Sequence, residues 1–458
     1  MLRLDCRFFL IALAAACSTP PPPTAADPLA AARCKQLVER ALADNQAITL
    51  LGGLLQAAPK RLSGSPGSDA AVQWSLATMR AMGLVNVRAE PCLVPQWVRG
   101  EERAELLGQT AQPLRITALG GSIGTPDGGL EAEVVEVRSF EQLRELGEKA
   151  RGKIVFFNRP MPRALRSVGQ AYGEAVPQRS NGAIEAGKVG ALAALVRSVT
   201  TAIDGNPHTG AMHYDDAVAK VPAAAIATAD AEQLAKALQR GPVRMKLVLG
   251  CTQGPDVPGA NAVGELAGST TPERIVVVGG HLDAWDLGDG AHDDGAGCIH
   301  ALEAVRLLQA CGIRPRCTIR VVLFANEENG LRGARAYADT HRDELGKHVA
   351  ALESDSGGFA PLGLTTSLRD EAAAAMQQKL LPLQDANAGT FLTGAGGCGA
   401  DIGPLHNAGV ACFGLLVNSQ RYFDHHHTAI DTLAMVNERE LALGAAVVAY
   451  TLSVLADG

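Results

Sequence analysis

"RIVVVGGHLDAWDLGDGAHDDGAGC", residues 274–298, joins an apolar run to an acidic, glycine-rich loop. Ile275, Val276, Val277 and Val278 follow one another without a polar break, the pattern of a strand buried on both faces of a parallel sheet. Directly after them come His281, Asp283, Asp286, Asp289, Asp293 and Asp294. A solvated acidic loop would explain the charge, but not its place at the end of a buried strand. Open α/β sheets build their sites in the crevice outside the carboxyl ends of such strands. The loop is therefore read as a place where chemistry happens.

Outward from this stretch, strand, loop and helix patterns repeat to the end of the chain. "TIRVVLFAN", "HVAALESD" and "ACFGLLVNS" read as strands, and "GCIHALEAVRLLQA" and "ERELALGAAVVAYTLSVLA" as helices. Such alternation predicts an α/β fold with a mostly parallel, mixed sheet flanked by helices. Upstream, residues 31–58 and 69–83 carry helical periodicity, while "VNVRAEPCLVPQWVRG" and "ERAELLG" alternate like half-buried antiparallel strands. Between about residues 120 and 251 the texture changes to short strands such as "EAEVVEV", "KIVFFN" and "ALAALVRS", separated by helical segments. This stretch has no carboxylate–histidine cluster of its own. The expected organisation is a first part of the main domain at 31–119, an inserted α+β unit at 120–251 and the catalytic part at 252–458.

The chain has 458 residues, is 47% hydrophobic and 19% charged, and carries a formal net charge of −7. No Lys/Arg cluster suggests nucleic acid as a partner, and beyond the leader no apolar stretch is long enough to cross a bilayer. Arg3 and Arg7 precede an apolar stretch at 8–16 that suits a signal-peptide core. Ala14-Ala15-Ala16-Cys17 resembles a bacterial lipobox, so 1–17 is expected to be a signal peptide, with 18–30 a proline-rich tether. The expectation is an exported, periplasm-facing lipoprotein anchored through Cys17, or a plainly secreted protein. Of the later cysteines, Cys311 and Cys317 lie close enough in sequence to be candidates for pairing; free buried thiols are equally open.

Four strand ends carry metal-type ligands: His281 and Asp283, Glu327 and Glu328, Asp355, and His425, His426 and His427 with Asp431 after them. Asp293-Asp294 heads the helix between the first two. Each feature alone is commonplace on a protein surface. Their coincidence at one edge of one predicted sheet is not.

These residues resemble a known family, the co-catalytic di-zinc exopeptidases related to bacterial leucyl aminopeptidase, and within it the carboxypeptidase Q type. "GGHLDAWDLGDGAHDDGAG", "RVVLFANEENG", "ALESDSGGF" and "HHTAIDT" carry the resemblance, with "GGSIGTPDGGLEAEVVEV", "ARGKIVFFN" and "NPHTGAMHYDD" in the inserted unit. It runs from about residue 35 to the end. It implies that the insertion is a protease-associated domain. It implies two zinc ions, with cobalt or manganese as possible substitutes, bound by His281, Asp293, Glu328, Asp355 and His427, with Asp293 bridging and followed by a cis peptide bond. Glu327 would be the general base, and Asp283 would hold the His281 ring by accepting its other N–H. His426 stands between a role at the transition state and a structural one. Asp401 is a candidate for shaping the substrate pocket, and Asp286 and Asp289 are expected to face solvent; His292 and His300 are expected not to be ligands.

The implied activity is hydrolysis of small peptides with free termini, chiefly dipeptides, by a homodimer. An aminopeptidase on the same site is the alternative. A glutaminyl-cyclase-like transferase would need one metal, and a non-catalytic binding module would lack a ligand; none of the five is missing. For a terminal carboxylate, Arg332 and Arg421 both lie near site motifs, and neither stands out.

Overall fold

A computed structural model describes residues 27–108, 111–394 and 398–457. The signal peptide and the lipobox cysteine, Cys17, lie outside the described residues. The main sheet has eight strands: β1 (Val85–Val94), β2 (Val257–Leu266), β3 (Thr271–His281), β4 (Cys317–Phe324), β5 (His348–Glu353), β6 (Pro361–Thr366), β7 (Thr390–Thr393) and β8 (Ala411–Val417). Their order is β1-β2-β4-β3-β5-β8-β6-β7. The central strands β4, β3, β5 and β8 run parallel, while β2 pairs antiparallel with both β1 and β4, and β6 pairs antiparallel with β8. The sheet is mixed, as the alternation predicts.

Helices cover both faces. On one lie α1 (Pro28–Ala43), α2 (Ala47–Ala57), α3 (Pro66–Ala81), α4 (Ala296–Ala310) and the final helix α6 (Glu438–Asp457). On the other lies α5 (Arg332–Thr340). The apolar run of β3 shows why one strand needs both layers. Val276 and Val278 enter the larger core, Ile275 and Val277 the opposite one, and all four are buried. The expected helix at 31–58 is two helices. The chain breaks at Asp44–Gln46, where Asp44 accepts from Arg306 and the Asn45 amide donates to the Glu438 carbonyl. A proline at the first turn and a Ser65 cap start α3 earlier than its periodicity suggests.

A second eight-stranded sheet is built from residues between β1 and β2. It begins before residue 120: Glu102–Leu107 pairs antiparallel with Arg244–Leu249. The alternation in "ERAELL" puts Ala104 and Leu106 against Met245 and Leu247, so this segment serves the second core and not the first. All the described cysteines are free thiols, Cys311 and Cys317 included.

Candidate active site

Strands β3, β4, β5 and β8 stop at the same edge, and the chain leaves each of them carrying an acid or an imidazole. His281 is the last residue of β3. Its Nε2 lies 3.2 Å from Asp293 Oδ1 and 3.6 Å from Asp355 Oδ1. Across Asp293, His427 Nε2 lies 3.2 Å from the other carboxylate oxygen and 3.0 Å from Glu328 Oε2. One carboxylate thus faces two separate groups of ligand-type atoms. His281, Asp293, Glu328 and His427 are all buried.

The loop that presents Asp293 is held from several sides. The peptide bond between Asp293 and Asp294 is cis. Asp294 accepts from the His281 amide at 3.1 Å and from the Gly297 amide at 3.0 Å, tying the strand end to the start of α4. Asp431 accepts from the amides of His292 and Asp293 at 2.8 and 3.1 Å. Arg61, fully buried, donates to the carbonyls of Leu282, Asp289 and Gly290. No sequence motif marks Arg61, which sits far upstream in a glycine- and serine-rich loop.

Some expected placements differ. His281 Nδ1 faces the backbone carbonyl of Asp283 at 3.0 Å, with the carboxylate 3.9 Å away. That carboxylate instead accepts from the Glu327 amide at 3.0 Å and the Ser63 hydroxyl at 3.1 Å. Asp283 therefore orients the Glu327 backbone, and its own carbonyl orients the ring. Asp286 does not face solvent: Arg99 Nε donates to both its oxygens, at 2.9 and 3.0 Å. Asp289 is half-buried, with its carbonyl taken by Arg61. His292 and His300 point elsewhere, toward Gly358 and Met435 and toward Ser354. Asp401 is buried with neither carboxylate oxygen partnered. His426 stacks on His427 at 3.5 Å, and its Nε2 is 3.6 Å from Asp293, farther than that of His427.

The electrostatics fit a cation. Asp293 Oδ2 and Glu328 Oε1 are buried without a hydrogen-bond partner. Burial pulls His281 down, but Asp293 and Asp355 prevail and hold it well above its ordinary range. Burial opposes charge on His427 as well, yet Glu328 and Asp293 raise it to about 10. Burial, with Asp355 and Glu328 adding to it against His281, pushes the Glu327 carboxyl well up. Carboxylates that draw protons onto imidazoles mark a place short of positive charge, and mixed His and carboxylate donors suit a borderline divalent metal. Glu327 and Glu328 also line a cavity of about 710 Å³, with Trp97, Gly120, His213 and Arg332 on its other sides.

A helix-flanked sheet with this cluster on its carboxyl edge defines a metal-dependent hydrolase. The profile of Peptidase family M28 matches residues 261–452. Carboxypeptidase Q of Mus musculus is 38% identical over 414 residues, covering 90% of this chain and 86% of that protein. The crystal structure of a Peptidase M28 precursor from Shewanella amazonensis SB2B superposes with a TM-score of 0.90 at 35% identity, covering 94% of this chain and 97% of that one. A zinc aminopeptidase from Bacillus subtilis shares the fold, with a TM-score of 0.66 at 19% identity over 89% of this chain and 93% of its own. The chain belongs to peptidase family M28, among its carboxypeptidase Q-like members, and is a metallo-exopeptidase.

Proposed function

We propose that this exopeptidase is a dipeptidase of the carboxypeptidase Q type, cleaving short peptides whose two ends are free. The observation that carries the reading is Asp293, shared between His281 and Asp355 on one side and Glu328 and His427 on the other. These residues would hold two zinc ions, three protein ligands to each, which leaves room at each metal as catalytic sites require. Bound there, the metals would supply Lewis acidity and a more acidic water. Glu327 takes the proton of the attacking water and passes it to the leaving amine. Asp283 keeps Glu327 in place through its backbone N–H. His426, stacked on His427, stands 3.6 Å from Asp293 and is assigned to the transition state.

The same reading extends to the rest of the chain. The second sheet is taken as a protease-associated domain, the working form as a homodimer, and the location as exported, with Cys17 as a lipid anchor. The test is a panel of free dipeptides with the purified protein, before and after chelation and after zinc is restored. Hydrolysis of dipeptides that is lost to chelator and returns with about two zinc ions per chain is the expected result. Efficient cutting of long peptides blocked at both ends, or activity indifferent to chelation, would overturn it.

A further inference from the structure

An exopeptidase that reads a peptide's carboxyl end needs a cation or an N–H cluster for the terminal carboxylate, ideally an arginine fork. The arginines near the site motifs do not supply it. Arg332 is paired with Asp256, and Arg421 is largely exposed beside Asp424. Arg61 is spent on three carbonyls and Arg99 on Asp286 and Glu102.

Arg179 differs from all of these. It lies on the helix Pro177–Lys188, between β1 and β2 in sequence, and is only 8% exposed. No carboxylate pairs with it among the described residues, and its Nε has no partner. Its Nη1 sits 3.5 Å from His427 Nδ1, and its guanidinium lies over the Tyr172 ring at 5.5 Å. With a divalent metal on His427 Nε2, Nδ1 would carry the ring proton and point it at the Thr209 carbonyl, 3.3 Å away. That nitrogen therefore offers Arg179 no lone pair. His208, 3% exposed, adds two ring nitrogens without partners. A buried guanidinium with an N–H left without an acceptor is costly unless an anion arrives to meet it.

We propose that Arg179 binds the C-terminal carboxylate of the substrate, so that a residue supplied from between β1 and β2 gives the site its carboxyl-end specificity. This rests on the dipeptidase reading. The test compares zinc-loaded wild type, Arg179→Gln and Arg179→Lys on L-alanyl-L-alanine and on its C-terminal amide. For Arg179→Gln, kcat/KM on the free dipeptide falls about 100-fold while the amide changes less than threefold. Arg179→Lys, which keeps the charge but not the fork, loses about tenfold on the dipeptide alone and stands in should the glutamine variant not fold. Zinc content stays at the wild-type value in both. Calorimetric binding of acetyl-L-alanine, which offers a carboxylate and no amine, weakens at least tenfold in Arg179→Gln; binding of its amide does not change. Equal losses on dipeptide and amide, or acetyl-alanine binding that ignores the substitution, would overturn the assignment. Wild type that binds acetyl-alanine through Arg179 but hydrolyses neither substrate would sink the dipeptidase reading and leave the carboxylate site standing.

Discussion

Among single residues, Glu327 and Glu328 are the sharpest contrast, since these adjacent acids meet different partners. Both line the large cavity, but Glu328 meets His427 at 3.0 Å, while Glu327 is held by its backbone N–H to Asp283. Glu327→Gln should therefore keep the metal content of wild type and lose roughly 10² to 10⁴ in turnover, the range a positioned general base supplies. Metal analysis and steady-state kinetics on one preparation check it, and turnover within threefold of wild type would remove Glu327 from that role. Such residues were legible because each follows a recognisable strand end. Arg61 and Arg179 were not: the first meets backbone carbonyls and the second lies beside a histidine remote in the chain, neighbours that leave no spacing in the sequence. The resemblance implies that the Asp283 carboxylate holds the His281 ring; in the structure its backbone carbonyl meets the ring at 3.0 Å and the carboxylate stands 3.9 Å away.

Among elements, the junction of β3 with α4 decides whether the site can form. A Cβ on Gly280 would stand 2.3 Å from Asp294 Oδ2 and 3.0 Å from the Cys298 amide nitrogen. The strand and the helix N-terminus meet there with no room for a side chain, and Asp294 is what ties them. Gly280→Ala should push Asp294 off the His281 amide, destabilising the fold by about 1–3 kcal/mol as overpacking does. Zinc affinity should fall with it, because His281 and Asp293 flank that contact. Denaturant midpoints and zinc titration measure the two effects, and a variant with wild-type values in both would show that the junction is slack. The apolar run and the helical periodicity located these two elements; the closeness of their approach was visible only as two consecutive glycines. The start of the second sheet was misplaced for a related reason, since an alternating strand does not announce which of two cores its apolar face will enter.

Across the whole molecule, the two sheets share more than a chain connection. Trp285, from the loop after β3, is 3% exposed and packs in the second core with Trp97 and Leu62. Its ring meets Trp97 edge-on at 6.3 Å, and a Cβ on Gly120 would fall 1.8 Å from its tip. Thr209 donates its amide to the His427 carbonyl at 3.0 Å and accepts from the ring of the same histidine. Arg99 reaches from beside the second sheet to Asp286 in the site loop. Indole burial, a two-way backbone clasp and an ion pair thus meet within the 281–290 and 425–427 segments. Units joined this way should open together, so wild type should melt in one cooperative calorimetric transition. Trp285→Ala removes the largest apolar group in the junction, and truncating a buried tryptophan costs about 3–5 kcal/mol. The variant should melt earlier, its profile should separate into two transitions, and hydrogen exchange should rise first in 208–213 and 425–428. Two transitions in wild type, or a Trp285→Ala variant as stable as its parent, would mean that the second sheet is carried by the catalytic one without being bound into its stability.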